Sequence, residues 1–233
     1  MAAIPYQTAL IVGAGSGLSA ALARLFVSKG LKLGLVARDT DKLKDLAGQT
    51  GAKLFRCDAT NPAGVEKLFT EVDQQLGGAD VVIYNVAGRV RGSLVDLDPK
   101  DVAFALNAGA FGGFLVAQQA LKRMLVKQQG ALFFTGATAS IKGNAQSAPF
   151  AMGKFALRAL AQSAAREFQP QNIHVAHFII DGAIRPANVP VSPGQREDMI
   201  DPDAIAQIYF DFLAQPRGAW SFEVDLRTFI EKF

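Results

Sequence analysis

Five residues near the start of the chain, Gly13-Ala14-Gly15-Ser16-Gly17, constrain its fold more than any others. They separate a short apolar run, residues 9–13, from residues 18–29, where Leu18, Leu22, Leu25 and Phe26 share one helical face. A strand that turns through glycines straight into a helix is the opening of a βαβ unit. The glycines permit a tight turn and let backbone amides approach a phosphate closely, and the helix N-terminus adds favourable positive potential. Gly13, Gly15, Ser16, Gly17 and Leu18 are therefore candidate dinucleotide contacts.

The alternation continues to the end of the chain. Strands are expected at 31–37, 53–57, 79–84, 131–135 and 173–180, with a last one at 220–226, where Ser221, Glu223 and Asp225 alternate with Phe222, Val224 and Leu226. Helices are expected at 41–47, 63–75, 147–168 and 201–214, and residues 101–128 read as one long helix or a bent pair. Apolar strands spaced by helices require a parallel sheet covered on both faces. The expected fold is thus a single α/β domain over residues 1–233, a Rossmann-type doubly wound sheet. Residues 185–199, with Pro186, Pro190, Pro193 and Gly194, read as a loop on the substrate side.

Composition narrows the function classes. Half of the 233 residues are hydrophobic, 19% are charged and the net charge is +3, with no basic run of the kind that follows a nucleic-acid backbone. The N-terminus shows no leader pattern or membrane anchor, which sets the expected location as cytoplasmic. Cys57 is the only cysteine and reads as a core thiol. No cluster of metal-ligating residues is apparent. His174 and His177 point to opposite faces of one strand and read as packing residues.

The second strand ends in Ala37-Arg38-Asp39. A carboxylate there accepts from a ribose, whereas a guanidinium suits an additional 2'-phosphate. Arg38 comes first, which favours NADP over NAD as the cofactor.

Taken in order, these motifs make the chain resemble the short-chain dehydrogenase/reductase family over nearly its whole length. Val12 to Ser19 is similar to the family's first fingerprint, with Val12 in place of threonine and Ser19 in place of the last glycine. Asp58, with Ala59 beside it, matches an adenine-contacting aspartate. Asn85-Val86-Ala87-Gly88 is similar to an Asn-Asn-Ala-Gly segment that lines the cofactor site, and Asn107 falls where the family keeps an asparagine that helps hold a proton-relay water. Asp181-Gly182-Ala183-Ile184 is similar to the Pro-Gly segment after the sixth strand. Here the resemblance implies a backbone contact from Ile184 to the nicotinamide carboxamide, and Asp181 reads as a turn residue. The resemblance also implies a homodimer or homotetramer, with Phe155, Leu157, Leu160 and Ala161 as core or interface positions.

The family's chemistry uses Ser, Tyr and Lys with that asparagine. This chain has Phe150-Ala151-Met152-Gly153-Lys154 in the Tyr-x-x-x-Lys segment and Ala137, followed by Thr138, at the serine position. Asn107 and Lys154 persist, while Phe150 carries no proton. Loss of a placed acid costs about 10²–10⁴-fold. Three readings follow: a cofactor-binding homologue without catalysis; hydride transfer to or from a small carbonyl or alcohol, with Thr138, Tyr84, Asp181 or a water supplying the proton; or a substrate that needs no phenol. Lys154 keeps a cofactor role in each.

Overall fold

The computed structural model describes residues 4–186 and 198–230. Seven strands form one parallel sheet: β1 (Thr8–Val12), β2 (Lys32–Ala37), β3 (Lys53–Arg56), β4 (Val81–Tyr84), β5 (Gly130–Thr135), β6 (Ile173–Asp181) and β7 (Glu223–Arg227), in the order β3-β2-β1-β4-β5-β6-β7. The helices are α1 (Leu18–Ser28), α2 (Lys44–Thr50), α3 (Pro62–Leu76), α4 (Pro99–Leu106), α5 (Gly112–Lys127), α6 (Ala148–Phe168) and α7 (Pro202–Leu213). The chain moves outward from β1 through β2 to β3, then returns to pair β4 on the other side of β1. That reversal opens a crevice beyond the carboxyl ends of β1 and β4, where open α/β sheets take ligands.

The apolar runs become central strands because both faces are covered. Ala9 and Ile11 join a core with α1 and α7, while Leu10 and Val12 join a second core with α3, α5 and α6. Successive strand residues face opposite layers, so each face of β1 must be apolar. Asn61 and Asp201 cap α3 and α7, each accepting from a first-turn amide.

Residues 101–128 resolve as a bent pair: a single wide turn, Asn107–Phe111, joins α4 to α5. Pro99–Lys127 is long and apolar enough to cross a membrane by length and composition. Its Leu115, Val116, Ala120 and Met124 pack with Leu132 and Phe134 of the sheet, the pattern of a core helix.

One boundary changes at the C-terminal side. The last strand begins at Glu223 rather than at residue 220. Trp220 is held outside the ladder by stacking on His174 at 4.8 Å and by an indole N–H bond to the Gln215 carbonyl. Phe229 is 77% exposed and does not tuck into the core. Phe233 and most of the loop at 185–199 lie outside the described residues. On α6, Leu157 and Ala161 are fully buried core residues, while Phe155 remains on the surface.

Candidate active site

The glycine turn needs its glycines for a physical reason. Gly13 has φ +89°, and a Cβ there would lie 2.7 Å from the Asn85 carbonyl oxygen. Its amide and that of Ala14 both donate to the Val36 carbonyl, which closes the turn. Gly17 precedes α1 without a side-chain cap, so the first-turn amides of that helix have no capping side chain. A Cβ at Gly15 or Gly17 would meet nothing within 4 Å, which leaves open space above the turn. Ser19, the departure from the family's glycine, ties the segment together: its hydroxyl donates to the Gly13 carbonyl and accepts from the Asn85 amide at 2.8 Å.

Two adjoining hollows lie over this turn. One, of about 250 Å³, is lined by Gly13, Arg38, Asp58, Ala59, Asn85 and Ala87, with Lys42 and Phe104 as further walls. The other is lined by Gly13, Gly15, Gly17, Leu18, Asn85 and Ile184. Asp58 accepts from the Thr60 amide and hydroxyl, and these bonds hold its carboxyl below the usual range. Arg38 forms no ion pair with Asp39 or Asp41 among the described residues; Asp41 pairs with Lys44 instead. Asp39 is occupied in accepting from the Asp41 amide. Lys42 is a second cation beside Arg38 that the sequence reading missed. Ser16 and Gly88 line neither hollow. Ser16 is exposed, and Gly88 is a packing position whose Cβ would lie 2.6 Å from the Ala105 Cα. Cys57 is buried, as expected, and burial pushes its thiol up to about 11.

The lysine of the Phe150/Lys154 pair is wholly buried. Its Nζ donates to the Thr135 carbonyl at 2.7 Å and the Val86 carbonyl at 3.2 Å, which joins β5, β4 and α6 at the strand ends. Burial, reinforced by the Arg89 charge, pulls its pKa down to about 7. Phe150 lies one helical turn before it, with the ammonium 6.0 Å and the Arg89 guanidinium 5.2 Å from its ring centroid. Asn107 opens the wide turn between α4 and α5 and is exposed; it lines neither of the hollows nor the cavity beside Phe150.

That cavity, about 230 Å³, is lined by Phe150, Ala137, Thr138, Arg89, Arg91 and Ile180 among others. Ala137 and Thr138 reach it because the tight turn Thr138–Ser140 follows β5, closed by the buried Ser140 hydroxyl accepting the Ala137 amide at 3.1 Å. Asp181 is not the turn residue expected. It is the final residue of β6 and only 2% exposed; it accepts a short hydrogen bond from the Thr138 hydroxyl and faces Arg227 of β7 at 3.5 Å. A carboxylate at the end of a buried strand needs such partners. Arg227 also pairs with Asp225.

Tyr84 is excluded as a proton donor to this cavity. Its hydroxyl is fully buried in the core shared with α5 and α6, donates to the Ala108 carbonyl at 2.6 Å, and is pushed upward in pKa by burial. Tyr209 is likewise buried, against Thr135.

Behind the cavity a polar network locks β7 to α6. Glu223 receives both guanidinium nitrogens of Arg158 at 2.7 Å and His177 Nδ1 at 2.9 Å. Burial alone would raise the Glu223 pKa, but the bonds from Arg158 and His177 bring it below its ordinary value. Burial pulls His177 down to about 4, so its ring is neutral and Nδ1–H donates to Glu223. Gly136 must be glycine here, since a Cβ would lie 2.4 Å from His177 Nε2. No group of three or more His, Cys, Asp or Glu among the described residues could hold a metal ion.

A sequence model of the short chain dehydrogenase family matches residues 7–189. An uncharacterized oxidoreductase of Staphylococcus aureus strain N315 is 27% identical over 233 residues, covering 97% of this chain and 99% of that protein. The crystal structure of a short-chain dehydrogenase from Rhodopseudomonas palustris is 32% identical and superposes with a TM-score of 0.82, covering 96% of this chain and 99% of that one. A metagenomic short-chain oxidoreductase in complex with NADP superposes with a TM-score of 0.83 at 22% identity, covering 99% of this chain and all of that one.

Proposed function

Because the chain belongs to the short-chain dehydrogenase family, we propose that it is an NADP(H)-dependent oxidoreductase acting on a small alcohol or carbonyl compound, with a proton donor of its own. The dinucleotide lies over the glycine turn, its pyrophosphate at the N-terminus of α1. Arg38 and Lys42 receive the 2'-phosphate, for which two cations lining one hollow are well suited. Lys154 and the Ile184 backbone hold the nicotinamide end, whose bound ring supplies the hydride acceptor or donor. The bridge between Ile184 and Ile200 uses the Ala183 carbonyl and the Arg185 amide.

Phe150 and Ala137 stand, in this reading, where relatives keep tyrosine and serine. The observation that carries the alternative is the Thr138 hydroxyl at the cavity wall, hydrogen-bonded to the buried Asp181. In the oxidative direction Thr138 Oγ1 takes the proton of the substrate hydroxyl and passes its own to an Asp181 oxygen. In the reductive direction the proton returns by the same two transfers. Arg227 orients the Asp181 side chain between turnovers.

Thr138→Val and Asp181→Asn should each lower kcat by about 10²–10⁴-fold with NADPH affinity kept, read by calorimetry. Full turnover in Thr138→Val would refute this proton route. Were the protein to bind NADPH, leave a broad carbonyl panel untouched and gain reduction only as Phe150→Tyr, it would be a cofactor-binding homologue without catalysis.

We also place a second copy of the chain on the α5/α6 face. Phe111 and Phe114 stack there at 6.2 Å in partial exposure, beside a groove walled by Leu121, Leu125 and Leu160. A monomeric mass in light scattering would remove this element.

A further inference from the structure

We propose that the cavity beside Phe150 selects a small carboxylate-bearing substrate, whose carboxylate is held by Arg89 and Arg91. This rests on the reading that the cavity takes the substrate, and it adds the chemical class.

Three observations carry it. First, both arginines come from the loop after β4 and line the cavity, yet none of the described residues that line it is acidic. Neither arginine forms an ion pair with a carboxylate among the described residues, whereas Arg123, Arg158 and Arg185 each do. Asp181 lies behind Thr138, and its charge is balanced by Arg227. The cavity therefore presents two uncompensated positive groups to whatever enters it, and guanidinium forks match carboxylates bidentately.

Second, Arg89 is oriented. Its guanidinium lies 5.2 Å from the Phe150 ring centroid, and the same ring has the Lys154 ammonium 6.0 Å away. Both cations thus approach the same aromatic ring. Phenylalanine at this position acquires a role: a flat, uncharged support for an anion-binding arginine.

Third, Arg89 is the charge that, after burial, depresses Lys154. A carboxylate bound at Arg89 cancels that repulsion and favours the ammonium form of Lys154. Ile180, Ala139 and Ala183 give the cavity an apolar stretch, with Asn144 and Ser147 as polar neighbours, and that stretch suits a short carbon skeleton between the carboxylate and the carbon that faces Thr138.

The test compares acids with their own neutral esters. Levulinate and benzoylformate, and the methyl ester of each, are titrated into the protein with and without NADP and followed by ligand-observed NMR. Each carboxylate should bind at least about tenfold tighter than its ester, the span of one lost charge-assisted hydrogen bond. Arg89→Gln should erase most of that preference and Arg91→Gln part of it, with thermal denaturation unchanged because both side chains are exposed. Equal binding of acid and ester, no binding of either acid, or a preference that survives the double substitution would overturn the inference. Failure of NADP to bind would instead remove the proposed function, while the titrations without NADP still decide whether the cavity selects anions.

Discussion

The two ends of the crevice are built in different materials. Over the glycine turn the floor is the short-side-chain stretch Gly13, Ala14, Gly15 and Gly17 leading into α1, with Asn85 held by Ser19. Beside Phe150 the walls are side chains from the loops after β4, β5 and β6 and from α6. A backbone site depends on local conformation and keeps a recognisable pattern. A side-chain site depends on which distant segments meet.

Several substitutions would break or sharpen this contrast. Gly13→Ala should be the most damaging change at the backbone end. It places a side chain at positive φ and against the Asn85 carbonyl, costing about 3 kcal/mol and abolishing dinucleotide uptake. Urea denaturation and NADPH titration check both. At the side-chain end, Glu223→Ala removes the shared partner of Arg158 and His177, and a loss of about 2 kcal/mol is expected, with β7 loosened first in hydrogen exchange. Arg38→Leu should weaken NADP by about tenfold or more and leave NAD unchanged; equal weakening of both would assign Arg38 to structure.

The acid and alkaline limbs of stability separate the two buried bases. Lys154 has a folded pKa of about 7 against an ordinary 10.5. Between these values the unfolded chain holds a proton that the folded chain lacks, so stability from this group rises from pH 7 towards 10.5. Lys154→Met should flatten that rise in urea melts. His177, pulled down to about 4 from 6.5, contributes stability that is complete above pH 6.5 and fades as the pH falls to about 4. A melt series that stays level across that range would contradict its burial as a neutral ring. The smallest effect is expected at Phe229, which is exposed: Phe229→Ser should change stability by less than about 0.5 kcal/mol.

Much of the frame was legible beforehand because it is written in local rules. Each expected strand lies within a few residues of its place, since an all-apolar run bounded by helices leaves little choice. The bend at 107–111 was left open between one helix and two, and packing resolved it. Asp181 was misread as a turn residue because a lone carboxylate after an apolar strand fits a turn equally well. Only the arrival of Thr138 and of Arg227 beside it makes it a buried acceptor. Arg89, Arg91 and Lys42 were passed over among scattered basic residues, for nothing in their spacing marks a shared cavity.

By itself the sequence determined the doubly wound sheet, the phosphate-cradling turn and the absence of a phenol at Phe150, because periodicity, glycine conformation and side-chain chemistry are properties of short segments. The tertiary structure decided which hydroxyl meets which carboxylate and which cations remain unpaired. Those pairings join residues about 40 to 60 positions apart, Thr138 with Asp181, Asp181 with Arg227 and Arg89 with Phe150, and contact at such separations is set by sheet order and helix packing rather than by any local preference.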